Sequence, residues 1–268
     1  MGALANTRER SAISSIVINT SFELKKHLRR NRFLITMILA VVLPALYFTV
    51  LVIFGEMPDT YGQFMSGILG FINILVIVSA AIFAGDAVSG EFESKNALLS
   101  FPTPQRRSMI FAGKYTAAVL ATSLSVVIYY MACALAGVMQ YGSSALGTDI
   151  LQSFGVAMLY TLSVVSVVFL VSSCIKRSMS STIIGFFSFF MVMPMIAGVL
   201  SIAGIDPYFV LTHAADAIGD FFGSSQAVGP MANSSYAIST SMAIAVMAVY
   251  SVISVSLSMV IASRKRME

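Results

Sequence analysis

Residues 33–54 read FLITMILAVVLPALYFTVLVIF, an unbroken apolar run without one ionisable side chain. A helix rises about 1.5 Å per residue, so about 20 such residues cross the hydrocarbon of a bilayer. Five further runs meet the same length, at 64–85, 115–141, 150–175, 178–204 and 235–262. With 57% apolar and 10% charged residues and a mean hydropathy of +0.88, the chain is too apolar for an ordinary soluble domain. The expected fold is an all-α polytopic membrane protein, a single membrane domain over 1–268 with six transmembrane helices.

Charge orients that bundle. Of the sixteen Lys and Arg, seven precede the first run (Arg8, Arg10, Lys25, Lys26, Arg29, Arg30, Arg32) and four join the second to the third (Lys95, Arg106, Arg107, Lys114). Lys176 and Arg177 join the fourth to the fifth, and Arg264, Lys265 and Arg266 follow the sixth. The alternate connections carry acids instead: Glu56, Asp59, Asp149, Asp206, Asp216 and Asp220. Basic residues stay on the cytoplasmic side, so both termini are expected there, with the chain multi-pass in the plasma membrane. The sequence pI near 9.1 then reports orientation rather than affinity for nucleic acid. The first apolar run starts too late and runs too long for a cleaved secretory signal.

Ahead of the first crossing, residues 12–30 place Ile13, Ile16, Val17, Thr20, Leu24 and Leu28 at helical spacing, with basic residues at the far end. That pattern fits a helix lying in the cytoplasmic interface against anionic membrane lipids, and equally a solvated stop signal. The connection 205–234 opens on Asp206-Pro207 and is apolar over 208–218, which suggests a small cap on the outer end. Pro44 and Pro194 fall in mid-helix, where each removes a backbone hydrogen bond. Cys133 and Cys174 both lie in expected helices, so they offer no disulfide between exposed loops.

Motifs for chemistry are missing. The apolar runs hold no Asp, Glu, Lys, Arg or His, whereas proton-coupled carriers and ion pumps generally place such groups in the membrane. Gly113-Lys114 lacks the rest of a phosphate-binding loop, with Ser108 where its first glycine belongs and Tyr115 where Ser or Thr would hold magnesium. Asp86 and Asp220 follow glycines but sit on opposite sides of the bilayer, too far apart for a carboxylate dyad. His213, Asp216 and Asp220 share a helical face, which reads as a solvated cap surface before it reads as a metal site. Met191, Met193 and Met195 alternate, so on a helix they diverge and serve packing. No catalytic residue, metal site or cofactor is expected on this chain, and the substrate-binding residues are not legible.

The segment 86–109 stands apart as the longest cytoplasmic connection. Ser89 is placed to cap a short helix, Glu91 and Glu93 lie in its first turn, and Pro102 ends it. Val88, Phe92, Asn96 and Leu99 share one face, and Glu91 pairs with Lys95 at i, i+4. Such a helix can press into a groove on a soluble partner, or simply cover the inner end of the bundle.

The run Glu91-x-Glu93, then Leu98-Leu99-Ser100-x-Pro102, then Gly113-Lys114, resembles the signature of permease subunits of the type-2 group of ATP-binding-cassette transporters. The layout of six crossings with a larger last outer connection is similar too. Two positions depart from that pattern: Ser94-Lys95-Asn96 follows the second acid, and the turn Pro102-Thr-Pro-Gln-Arg106 is one residue longer. The resemblance implies a half-transporter: two permease copies, as homo- or heterodimer, each resting a coupling helix on a separate cytoplasmic ATPase subunit that holds ATP and magnesium. It implies export, and a coupling surface of Glu91, Phe92, Glu93, Leu98, Leu99, Ser100 and Pro102 with Asp86 and Arg106 fixing its ends. An ATP-independent carrier or channel, and a membrane anchor or assembly factor, are the other two classes that the residues leave open.

Overall fold

The computed structural model describes residues 2–29, 31–93, 107–142, 147–223 and 239–264. Among them all regular structure is helical, and six helices are long and apolar enough to cross a membrane. They are Asn31–Phe54, Tyr61–Glu93, Ser108–Tyr141, Thr148–Cys174, Ser178–Ile202 and Thr240–Ala262. The chain is an all-α polytopic membrane protein.

The crossings differ in how they are packed. Across the most apolar stretch of the second and fourth crossings, 61% and 56% of residues are buried, against 11% for the first and fifth. The second, third and fourth therefore form the centre, and the first and fifth present apolar flanks. Phe64, Phe83, Phe111, Tyr129, Tyr160 and Phe169 fill that centre and are fully or almost fully buried. Tyr129 donates to the carbonyl of Ile68, and Tyr160 to the side-chain oxygen of Asn73, so each buried phenol has a partner.

Two prolines have different consequences. Pro44 sits inside a helix that continues through it from Asn31 to Phe54. Pro194 follows a π-helical turn at Ser188–Val192, where the Met193 amide bonds the Ser188 carbonyl. Its ring crowds the carbonyl four residues back and offers no N–H, and the fifth crossing widens just before it. The second crossing also breaks, at Gly70–Phe71, between Tyr61–Leu69 and Ile72–Ala84.

Helix ends extend beyond the apolar runs. The N-terminal helix covers Gly2–Leu28, and the third crossing starts at Arg107, about two turns ahead of Tyr115. Lys114 consequently lies inside a helix rather than at a loop. At the opposite end, Leu211–Ala214, Ala215–Ile218 and Asp220–Phe222 form short helical turns that fold back into the bundle. Ser153 donates to the Ile218 carbonyl at 2.8 Å and bonds Tyr130 at 2.8 Å, tying this cap to the third and fourth crossings. His213 is 7% exposed, so it is packed against the bundle instead of lying on a solvated cap surface. Among the described residues no group of His, Cys, Asp or Glu is arranged to hold a metal ion.

Candidate functional site

The basic ends of the crossings converge on one cluster of charges. The N-terminal helix supplies Glu23 and Lys26, the segment after the second crossing supplies Glu91, and the third crossing supplies Lys114. Lys114 is 6% exposed. Its ammonium donates to Glu91 Oε1 at 2.8 Å and to Glu23 Oε1. Lys26 Nζ completes the set, 3.2 Å from Glu23 Oε2 and 4.0 Å from Glu91 Oε1. An isolated ammonium at such burial carries a desolvation penalty of several kcal/mol. Two carboxylates and a second ammonium bring the cluster to neutrality and give each charge a partner. Burial works to raise the Glu23 carboxyl, but the charges and hydrogen bonds of Lys114 and Lys26 outweigh it and hold it below the ordinary carboxylate range.

Close backbone approach makes the cluster possible. A β-carbon added to Gly113 would stand 2.6 Å from Asn19 Cβ, so only glycine lets the N-terminal helix lie against the third crossing there. One turn on, Thr20 Oγ1 meets Thr116 Oγ1 at 2.6 Å. Gly113 thus sets the distance, and Lys114 supplies the charge that spans it. The end of the N-terminal helix also rests its His27 ring edge-on against Phe83 of the second crossing, at 5.3 Å.

The segment carrying Glu91 is hung on four other crossings. The amides of Val88 and Ser89 donate to Ser172 Oγ of the fourth crossing at 3.1 and 3.2 Å. Ser89 is buried and its own hydroxyl bonds the Gly85 carbonyl at 3.3 Å, so it does not cap the helix Ser89–Glu93 as its sequence position suggests. Glu93 Oε2 accepts from the Ser178 amide at 2.6 Å, satisfying an orphan N–H at the start of the fifth crossing where the helix dipole favours a carboxylate. The second and fifth crossings approach closely here, since a β-carbon on Gly85 would come within 2.9 Å of Thr182 Cα. Asp86 accepts from Arg32 at 3.0 Å, which joins the start of the first crossing. Phe92 stacks on Phe111 with ring centroids 6.5 Å apart.

Four of the residues expected at the site, Asp86, Glu91, Phe92 and Glu93, are therefore brought together, each on a different neighbour. Leu98, Leu99, Ser100, Pro102 and Arg106, together with the Glu91–Lys95 pair, lie outside the described residues. Glu91 engages Lys114 and Lys26. Glu23, Arg32, Ser172 and Ser178 are contributors that sequence reasoning passed over. A signal existed only for Glu23, an acid set among Lys25, Lys26, Arg29 and Arg30.

Residues 20–192 match the family described as ABC-2 family transporter protein. The chain belongs to that family. The matched stretch starts at Thr20 in the N-terminal helix and ends in the π turn of the fifth crossing, so it contains the whole charge cluster and its ties. No curated protein matches the chain. As an ABC-2 family member with six crossings, it is a membrane permease component of an ABC transporter.

Proposed function

We propose that this permease works in an exporter whose energy comes from a separate cytoplasmic ATPase subunit, with ATP and magnesium held there and no catalysis by this chain. The basic end of the bundle is then cytoplasmic, as the distribution of Lys and Arg requires in the plasma membrane. The carrying observation is the division of labour between Glu91 and Glu93. One carboxylate grips the third crossing and the N-terminal helix through Lys114, and the other holds the N-terminus of the fifth crossing. A push on the segment between 86 and 109 is thereby delivered to several helices through short hydrogen bonds to charged groups.

The N-terminal helix supports the same orientation. The side opposite Glu23 exposes Val17, Ile18, Phe22 and Leu28, with Lys25 and Arg29 also exposed. That combination suits a helix half-sunk in an anionic leaflet, where each basic residue near the surface adds about 1 kcal/mol. The apolar flanks of the first and fifth crossings are free to meet lipid and a second permease copy, which the half-transporter arrangement requires.

Purification of the tagged chain from its native membranes tests the proposal. A nucleotide-binding subunit that hydrolyses ATP should accompany it, and liposomes containing this chain alone should move no solute against a gradient. Uphill pumping by the chain without a companion contradicts it.

A further inference from the structure

The regular helix of the second crossing ends at Ala84 and resumes at Ser89, and the segment bearing Glu91 and Glu93 departs from the turn between them. In an unbroken helix the Val88 amide would bond the Ala84 carbonyl, and the Ser89 amide the Gly85 carbonyl. Here Ala84 accepts from the Ala87 amide and Gly85 from the Ser89 hydroxyl, each at 3.3 Å. The two displaced amides turn to Ser172 Oγ of the fourth crossing, at 3.1 and 3.2 Å. One residue later the ladder is restored, with the Gly90 amide 2.9 Å from the Asp86 carbonyl. The Ser172 and Ser89 hydroxyls are 3.3 Å apart, and because the Ser89 proton goes to Gly85, the Ser172 proton goes to Ser89. Ser172 Oγ therefore accepts twice and donates once, closing a chain that runs from two amides to a carbonyl. Both serines are fully buried, so bulk water reaches neither.

We propose that Ser172 is a positioning residue: its hydroxyl is wedged into the backbone ladder of the second crossing and sets the direction in which the segment bearing Glu91 and Glu93 leaves it. A side chain inserted into the i to i−4 ladder is one of the few causes of a sharp bend in a helix. The other usual causes do not apply here. No proline occurs over 72–93, and Gly85 keeps right-handed helical geometry at φ −63. With the Ser172 oxygen removed, the Val88 and Ser89 amides have only the carbonyls of Ala84 and Gly85 to return to. The helix then runs on straight, and Glu91 and Glu93 are carried away from Lys114 and the Ser178 amide. The inference rests on the reading that this segment takes the push of an ATPase, but the direction assigned to Ser172 is measurable on this chain alone.

Gly90 and Ser178 provide the gauge. A β-carbon on Gly90 would stand 3.8 Å from Ser178 Oγ and meet nothing closer, so cysteines at the two positions are within reach of a disulfide. Gly90→Cys with Ser178→Cys, in the full chain carrying Cys174→Ser to remove the exposed thiol, should cross-link on oxidation in membranes, read by mass spectrometry of the joined peptides. Adding Ser172→Ala should slow the cross-link about ten-fold, because the β-carbons no longer meet the distance that a disulfide needs. Ser172→Thr and Ser172→Val, alike in shape, separate the hydroxyl from packing and serve if the Ala variant is not monodisperse: the Thr variant should cross-link like the parent and the Val variant should not. Equal rates in Ser172→Ala and the parent, or in the Thr and Val variants, overturn the assignment. In the complex with the ATPase, Ser172→Val should lose the vanadate-dependent movement of the third crossing against the fifth that Ser172→Thr retains. A parent complex without that movement counts against the coupling reading alone, and the cross-linking rates still decide for or against Ser172.

Discussion

Lys114 Nζ and Glu91 Oε1 are 2.8 Å apart, although the two residues belong to different helices separated by the whole connection between the second and third crossings. With Glu23 on the same ammonium, three helices meet at one buried charge. Removing that charge leaves two carboxylates to share the single ammonium of Lys26. Lys114→Met is expected to destabilise the protein by about 3–5 kcal/mol, seen as a lowered midpoint of thermal unfolding in detergent. Combining it with Glu23→Gln and Glu91→Gln should recover most of the loss, because no unpaired charge then stays buried.

Gly113→Ala tests the close approach rather than the charge. The added methyl meets Asn19 Cβ at 2.6 Å, and relief requires the N-terminal helix to move away. The expected cost is about 1–3 kcal/mol, with faster amide hydrogen exchange over residues 14–28. Exchange as slow as in the parent would mean that the two helices can separate freely at this point.

How much of this was legible beforehand differs from one element to the next. The crossings were readable because hydrocarbon imposes a length and excludes charge, a constraint that each run satisfies by itself. Lys114 and Lys26 as partners of Glu91 were not, because both are reached only through tertiary packing. Ser89 illustrates the same limit: its type and position fit a cap, but packing against Ser172 of the fourth crossing buries it and its hydroxyl turns back to the Gly85 carbonyl. His213 looked solvated since the spacing alone does not reveal that its turn folds inward.

Glu93 holds the first amide of the fifth crossing, so its replacement acts on that helix end. Glu93→Ala should cost about 0.5–2 kcal/mol and speed amide exchange at Ser178 to Ser181. Glu93→Gln keeps an acceptor without the charge and should cost less. Equal effects from both would show that the charge at the helix end, and not the hydrogen bond, carries the stabilisation.

The lowered Glu23 carboxyl gives a pH dependence with a definite sign. Burial opposes its ionisation, and Lys114 and Lys26 more than compensate. The stabilisation is present above the ordinary carboxylate range and disappears as pH falls through the lowered value. Acidification should therefore release the N-terminal helix from the third crossing, detectable as proteolytic cleavage within residues 14–28. In Glu23→Gln the release should no longer depend on pH over that interval.

The central claim, that Glu91 and Glu93 carry movement from a cytoplasmic ATPase into the crossings, is tested by distance. Leu120 of the third crossing and Ile183 of the fifth are both exposed and accept spin labels. In the complex with its ATPase, vanadate trapping should change the distance between the labels in the parent. With Glu91→Ala and Glu93→Ala together, ATP hydrolysis should persist while the distance change is lost. A change of the same size in that variant contradicts the account.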